Sequence, residues 1–391
     1  MTTVVNSKER IIEIAHELGF HQVSIGSLAP MPEALTTYQA WLDKGYAASM
    51  DYLKRDPSRR TDPSMTCPEA KSVIIVAVSY FSEPPPVPPE GSYGRVARYA
   101  VGLDYHAVIR AKLRELCSRI ELELGVPLQR RAVTDDAALY EQALAARHGM
   151  GFIGKNSLLI GPKMSGSYNL IGELFVDVEL EPDFAYTGTC GECFRCGAAC
   201  PTDAIKNGAM IDSNACISFL TIENKQGIDL ARRQGLGDWV FGCDICQEVC
   251  PYNKKAAPAP WPEFSAKSGV GHYLNLIDLL AIADQETFLK RFEKSPVRRP
   301  KRRGLLRNAL VVMGNQLGGE HIASEQIIDA IDRFVAAESD SMLLEHAVWA
   351  ASRTQMLGQS SSIAARGRGI IDGVLAGELE QSSRMEIAKY V

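Results

Sequence analysis

Apolar residues recur at helical spacing over residues 7–18, where Ile11, Ile12, Ile14, Ala15 and Leu18 form one face and Gly19 supplies a stop. Val23–Ile25 then reads as a strand. The run from Lys71 to Val78 is apolar at successive positions, the pattern of a strand covered on both faces. Glu83-Pro-Pro-Pro-Val-Pro-Pro reads as a stiff polyproline spacer. Residues 104–124 predict a long helix, 130–133 a strand, and 137–148 a helix ended by Gly149. Leu158–Ile160 and Leu170–Val178 predict further strands. Strands alternating with helices imply an α+β fold with an α/β-layered domain over residues 1–180.

The pattern changes after residue 180. Residues 181–260 read as a cysteine-rich module with short helices between the cysteines, ending in the link Ala257-Pro-Ala-Pro-Trp-Pro. From about 275 the chain reads as helix throughout. Asn308-Ala309-Leu310 and His346-Ala347-Val348 recur 38 residues apart, within the helical-repeat range of about 34–47. Residues 305–355 therefore read as HEAT-like units inside a C-terminal segment 261–391; a plain helical cap is the simpler alternative.

Eight of the ten cysteines fall in two runs. The first is Cys190-x2-Cys193-x2-Cys196-x3-Cys200-Pro201. The second is Cys243-x2-Cys246-x3-Cys250-Pro251, with Cys216 upstream. Four thiolates bind one [4Fe–4S] cluster, and in two-cluster ferredoxins the cysteine before proline serves the other cluster. Cys190, Cys193, Cys196 and Cys250 are therefore expected on one cluster, and Cys200, Cys216, Cys243 and Cys246 on the other. Zinc favours paired C-x2-C units, and disulfides need an oxidising compartment; neither suits the triple step and the two Cys-Pro endings. Cys117 lies in a helical pattern and reads as a core residue.

Charge narrows the partners. The 391 residues are 46% hydrophobic and 23% charged, with net charge −5, so a polyanion would have to be met by a local patch. Arg298, Arg299, Lys301, Arg302, Arg303 and Arg307 make such a patch; it reads either as a nucleic-acid surface or as a solvated face. No signal segment, twin-arginine leader or long apolar run is present in the sequence, which predicts a cytoplasmic protein with no membrane partner. Gly149, Gly151 and Gly154 follow a helix rather than a strand, which excludes a dinucleotide fingerprint.

Several blocks, in this order, resemble the epoxyqueuosine reductases, the enzymes that complete the queuosine base of tRNA. They are Asp51-Tyr-Leu, Arg60-x-Asp62-Pro63, Ala70-Lys-Ser-Val, Arg98-Tyr-Ala-x-Gly-x-Asp104-Tyr-His106, Gly149-x-Gly-Phe-Ile-Gly-Lys155-Asn156, the cysteine runs, Cys216-Ile-Ser-Phe-Leu-Thr and Gly242-Cys-Asp-x-Cys. The resemblance runs from about residue 8 to 355. It implies cobalamin beside two [4Fe–4S] clusters, an external electron donor, a monomer, and reduction of an epoxide on the wobble nucleoside with loss of water. Cobalamin is not legible in residue spacing: Asp104-x-His106-x-x-Ile109 lacks the glycine of a cobalt-binding motif, and both residues read as the start of a helix.

The resemblance assigns further residues. Epoxide opening needs a proton for the leaving oxygen, a task for a carboxylic acid. Counting back from Glu141 matches Asp135 to the proton donor; a Thr is inserted between Val133 and Asp135, and Asp136 stands where the family has Thr, which leaves Asp136 as a rival. Arg60, Asp135, Asn156, Leu159, Ser218, Cys243 and Asp244 match cofactor-lining positions. Asn224 and Lys225, with Arg298, Arg299, Arg302, Arg303 and Arg307, are the expected tRNA contacts. A reductive dehalogenase and a ferredoxin-type carrier share parts of this signature; the absence of a twin-arginine motif speaks against the first, and the large N-terminal layer against the second.

Overall fold

A computed structural model of the chain describes residues 2–88, 90–125, 127–162, 166–206, 210–319, 323–354 and 362–376. Packing divides the chain into two compact units, each discontinuous in sequence. The first comprises Met1–Glu83, Gly102–Asn214 and Asp244–Gly269; the second comprises Pro84–Val101, Ala215–Cys243 and Val270–Val391. The folding class is mixed α+β.

The first unit is built on a four-stranded sheet in the order Gln22–Gly26, Ser72–Ser79, Asn169–Val176, Arg130–Val133. All three pairings are antiparallel. The expected α/β layering is thus met by helices on an antiparallel sheet and not by parallel crossovers. Ser72–Ser79 is buried at every position, because both faces are covered. On one face, a Cβ on Gly172 would lie 2.7 Å from Ile109 and 3.2 Å from Leu113 of helix Tyr105–Leu124; only glycine lets that helix approach. On the other, Val73, Ile75, Ala77, Val133, Ile171 and Phe175 pack with Leu139, Leu144, Ala145, Met150 and Leu159.

Helix Tyr105–Leu124 forms as the pattern requires. Ile109, Leu113, Leu116, Cys117 and Ile120 make its buried stripe, so Cys117 is a core residue. The Asp104 side chain accepts from the His106 amide, and Gly125 closes the helix at φ 68°.

The helix expected at 137–148 is shorter, Glu141–Arg147. Residues 134–139 form a run of bends instead. Two distant contacts override the local helix preference of Ala137 and Ala138. The Tyr140 amide donates to the Arg60 carbonyl at 2.6 Å, and Leu139 is drawn into the core. The strand expected at Leu158–Ile160 forms as Leu159–Ile160, in a short hairpin with Phe152–Ile153; that partner and the hairpin of Ile205–Lys206 with Met210–Ile211 were too brief to leave a sequence period.

The second unit has a three-stranded sheet in the order Trp239–Phe241, Tyr93–Val96, Tyr273–Asn275. Its first pairing is parallel and its second antiparallel. Helices Lys301–Leu317, Ser324–Ala337, Ser341–Ser352 and Ser362–Ala376 follow. The recurring triplets are buried: Asn308 donates to the Thr221 and Val240 carbonyls, and His346 Nε2 accepts from the Ile228 amide. Residue 355, the end of the expected repeat, lies outside the described residues, as does Pro89 of the proline-rich loop. No helix among the described residues is long and apolar enough to cross a membrane.

Candidate functional site

Cys190, Cys193 and Cys196 lie on and before the short helix Arg195–Ala199, and Cys250 follows helix Ile245–Glu248. The four line one cavity with Lys155, Asn156, Ile160, Arg195, Pro251 and Tyr252. Burial, with Cys190, Cys196 and Cys193 nearby, pushes the Cys250 thiol up; burial, Cys190 and Cys193 do the same to Cys196. Four thiols crowded in this way suit a cationic cluster, which would draw off their protons. Among the described residues no three His, Cys, Asp or Glu side chains converge tightly enough for one ion. The four thiols share one cavity, as the ligands of a single multi-iron cluster would. The Lys155 amide donates to Cys190 Sγ at 3.5 Å, and the Ala204 amide to Cys200 Sγ at 3.3 Å. Cys200 and Cys246 belong to the first unit, Cys216 and Cys243 to the second.

Beside this cavity Asn156 is 3% exposed, yet neither its Oδ1 nor its Nδ2 has a partner among the described residues. Arg60 presents a third such atom: its Nη2 donates to the Tyr52 carbonyl at 3.0 Å, while its buried Nε is unmatched among the described residues. Unpaired buried polar atoms cost about 1–3 kcal/mol each, a cost that a bound group rich in amide and phosphate oxygens would remove. The Leu159 side chain is in the apolar core, which leaves only its main chain to meet a ligand. Asp244 is buried at 2% exposure, with Tyr80 close enough to feel its charge. Ser218 lies half-buried in helix Ile217–Ile222 of the second unit.

The loop leaving the edge strand Arg130–Val133 separates the two rival aspartates. Thr134 is buried, its hydroxyl donating to the Ile171 carbonyl at 2.7 Å and its amide to Asp136 at 3.1 Å. Asp136 is also paired with Arg110. Asp135 sits at φ 54°, a left-handed conformation that aspartate tolerates at some cost. Its side chain is 69% exposed. Asp135 Oδ2 accepts the Tyr105 hydroxyl at 2.5 Å, and His106 Nε2 lies 3.9 Å away. His106 Nδ1 is in turn 2.7 Å from Asp104. Asp136 is thus occupied by a permanent cation and a turn, whereas Asp135 faces two groups able to exchange protons.

Two carboxyl groups under this loop carried no motif signal. Glu141 accepts the Asp135 amide at 2.5 Å. Glu173, in the middle of strand Asn169–Val176, is 0% exposed. The available clue was a lone carboxylate between Ile171 and Phe175, both of which face the core.

The basic run is only partly a surface. Arg298 and Arg299 are exposed, the latter 59% at its side chain and paired with Glu223. Arg303 pairs with Asp340 and donates to the Lys225 carbonyl at 3.0 Å. Arg302 is mostly covered and held by Glu338 at 2.9 Å. Arg307 departs from the expectation: it is 0% exposed and cannot meet a polyanion from where it lies. Its guanidinium donates to the carbonyls of Leu220, Asn224 and Gln226 and to Asn308 Oδ1. The cause is the turn at 224–227, which exposes its peptide groups inward and needs a fork of donors. Arg307 therefore fixes the loop that carries Asn224 and Lys225.

Comparison with known proteins agrees with these features. Residues 60–136 match the profile described as "Epoxyqueuosine reductase QueG, DUF1730", and residues 189–253, which span the eight cysteines of the two runs, match the "4Fe-4S double cluster binding domain". The epoxyqueuosine reductase of Pseudomonas aeruginosa is 37% identical over 353 residues, covering 88% of this chain and 94% of that protein. That of Vibrio cholerae is 35% identical over 352 residues, covering 87% and 90%. A solved epoxyqueuosine reductase bound to an epoxyqueuosine-modified tRNA-Tyr stem loop superposes with TM-score 0.86 at 26% identity, covering 99% of this chain and 98% of that one. One from Bacillus subtilis, with its aspartate catalytic loop swung out of the active site, gives 0.86 at 25% identity over the same shares. At this identity over most of both sequences, the chain belongs to the epoxyqueuosine reductase family.

Proposed function

We propose that the protein reduces epoxyqueuosine at the wobble position of tRNA to queuosine, consuming two electrons and two protons and releasing water. Residues 1–180 would hold cobalamin and the proton donor, 181–260 the two clusters, and 261–391 HEAT-like helices that meet tRNA. The observation that carries the reading is the Asp135 loop, with its carboxylate exposed and addressed by Tyr105 and His106, in a chain of this family.

When bound, the clusters would supply electrons singly from an external donor, and cobalamin would supply a low-valent cobalt able to reduce carbon. Cluster one would rest on Cys190, Cys193, Cys196 and Cys250, cluster two on Cys200, Cys216, Cys243 and Cys246. The unmatched Arg60 Nε and Asn156 amide support a place for the corrinoid, together with Leu159, Ser218, Cys243 and Asp244. Asp135 would protonate the leaving oxygen; without that proton the oxygen would have to depart as a high-energy oxyanion. The substrate base must leave the anticodon stack to reach any buried centre, which single-stranded loops permit at low cost. Incubating the protein with tRNA bearing epoxyqueuosine, cobalamin and a strong reductant, then analysing nucleosides by mass, tests the whole reading; no queuosine overturns it.

The tRNA surface would be Asn224, Lys225, Arg298, Arg299 and Arg303. Arg302 is tied to Glu338 and contributes chiefly to folding. Replacing Arg298 and Arg299 with Ala should make the salt dependence of tRNA binding shallower, by about 0.7 per lost phosphate contact in single-stranded regions. Arg302→Ala should instead lower thermal stability and leave the slope alone. Filter binding across salt concentrations reads both, and an unchanged slope in the first variant would reduce the basic run to a solvated face.

A further inference from the structure

Glu173 is the most anomalous side chain in the first unit. Strand Asn169–Val176 is central in its sheet, and Glu173 shares a face with Ile171 and Phe175, both in the apolar core. Neither Glu173 oxygen receives a hydrogen from any donor among the described residues. The helix that begins at Glu141 packs on this strand, which brings a second carboxyl, that of Glu141, close enough for the two charges to act on each other. Two carboxylates cannot hydrogen-bond each other without a proton, and two buried like charges are costly. Burial first, then mutual repulsion and the charges of Asp135 and Asp136, hold Glu173 well above the usual carboxylate range; burial and Asp135 raise Glu141 likewise.

Glu141 has a second role. Its carboxylate accepts the Asp135 amide and so stabilises the left-handed turn that aims the Asp135 side chain at Tyr105. The other charged and titratable groups around the pair and its loop are Asp135, Asp136, Arg110, Tyr105 and His106. Arg110 is engaged with Asp136, which leaves no cation among these to neutralise the pair.

We propose that Glu141 and Glu173 are positioning residues for the proton donor: a carboxyl pair, Glu173 buried and Glu141 half-buried, that shares one proton, with Glu173 as the hydrogen-bond donor to Glu141 and Glu141 as the clasp on the Asp135 amide. The role rests on the reading of Asp135 as the acid. While the proton is present, Glu141 is held in place and keeps the loop shaped. When both groups ionise, they repel, Glu141 withdraws and the turn at Asp135 is released. The sign for stability follows. Folded-state affinities raised above the ordinary value of 4.5 mean that the native state holds more protons than the unfolded chain. Stability is then full below that value and declines as pH climbs toward the folded-state value.

Glu173→Gln tests this, because an amide N–H donates to Glu141 at every pH. Against the parent holoenzyme under anaerobic conditions, the variant should be more stable at alkaline pH and equally stable near pH 4. Its alkaline loss of turnover should shift upward. The protection of the Asp135 amide from hydrogen exchange, relative to the base-catalysed rate of a free amide at the same pH, should fall at high pH in the parent and not in the variant. Glu141→Ala should lower turnover about 10- to 100-fold through a misplaced loop, and Glu141→Gln, which keeps an acceptor oxygen, should restore most of it. Identical exchange and identical pH profiles in parent and Glu173→Gln would overturn the proposal. If exchange follows the pair while Glu141→Ala turns over normally, the clasp stands and Asp135 is not the acid.

Discussion

Asp135→Asn is expected to lower epoxide reduction by at least about 10²-fold while leaving both clusters and tRNA retention unchanged. The substitution is nearly isosteric. Its side-chain oxygen still accepts the Tyr105 hydroxyl, which is the contact that fixes the group, and its backbone still donates to Glu141. What disappears is the capacity to carry a proton to the leaving oxygen. The parallel change Asp136→Asn should cost far less, because Asp136 serves a turn at Thr134 and an ion pair with Arg110; exposed pairs of that kind are worth about 1 kcal/mol or less. Single-turnover conversion read by nucleoside mass, beside absorption spectra of the clusters, separates the two residues. Full turnover in Asp135→Asn would move the proton to Asp136 or to water.

Cys250→Ala is expected to remove one whole cluster, lowering bound iron from about eight to about four per chain. The lost electron paramagnetic resonance signal should be the one lost in Cys190→Ala. Sequence proximity alone would group Cys250 with Cys243 and Cys246. The four-thiol cavity instead joins it to Cys190, Cys193 and Cys196. A variant spectrum matching that of Cys246→Ala would refute the crossed assignment. Alanine is the right replacement, since serine can still offer an oxygen ligand.

These two tests draw on what was most legible in the chain. Thiol spacing is a rigid code because cluster geometry fixes it, and the run Ser72–Ser79 declared itself because a strand covered on both faces has no polar position to blur it. Other features depended on contacts between distant segments. Residues 137–140 have helical composition, but the Arg60 carbonyl and the core claim Tyr140 and Leu139, and the helix starts at Glu141. Arg307 sits in a run of cations and reads as one of them; only the inward-facing carbonyls of 220–226 reveal that it is an internal brace. Glu173 illustrates the opposite case. Its anomaly was visible as a charge in an apolar strand, yet its meaning required the Glu141 carboxyl beside it.

The order in which the first unit is made has a cost for the nascent chain. Its closing segment, Asp244–Gly269, is separated from the body of the unit by residues that belong elsewhere. At roughly 5–20 residues per second, Cys250 leaves the ribosome several seconds after Cys196. For that interval a trio of soft ligands is present without its fourth, in a form open to zinc or copper, which bind thiolates more tightly than ferrous iron does. Slowing the ribosome between these two cysteines should therefore increase the fraction of protein carrying the wrong metal, and supplying preassembled iron and sulfide should reduce it.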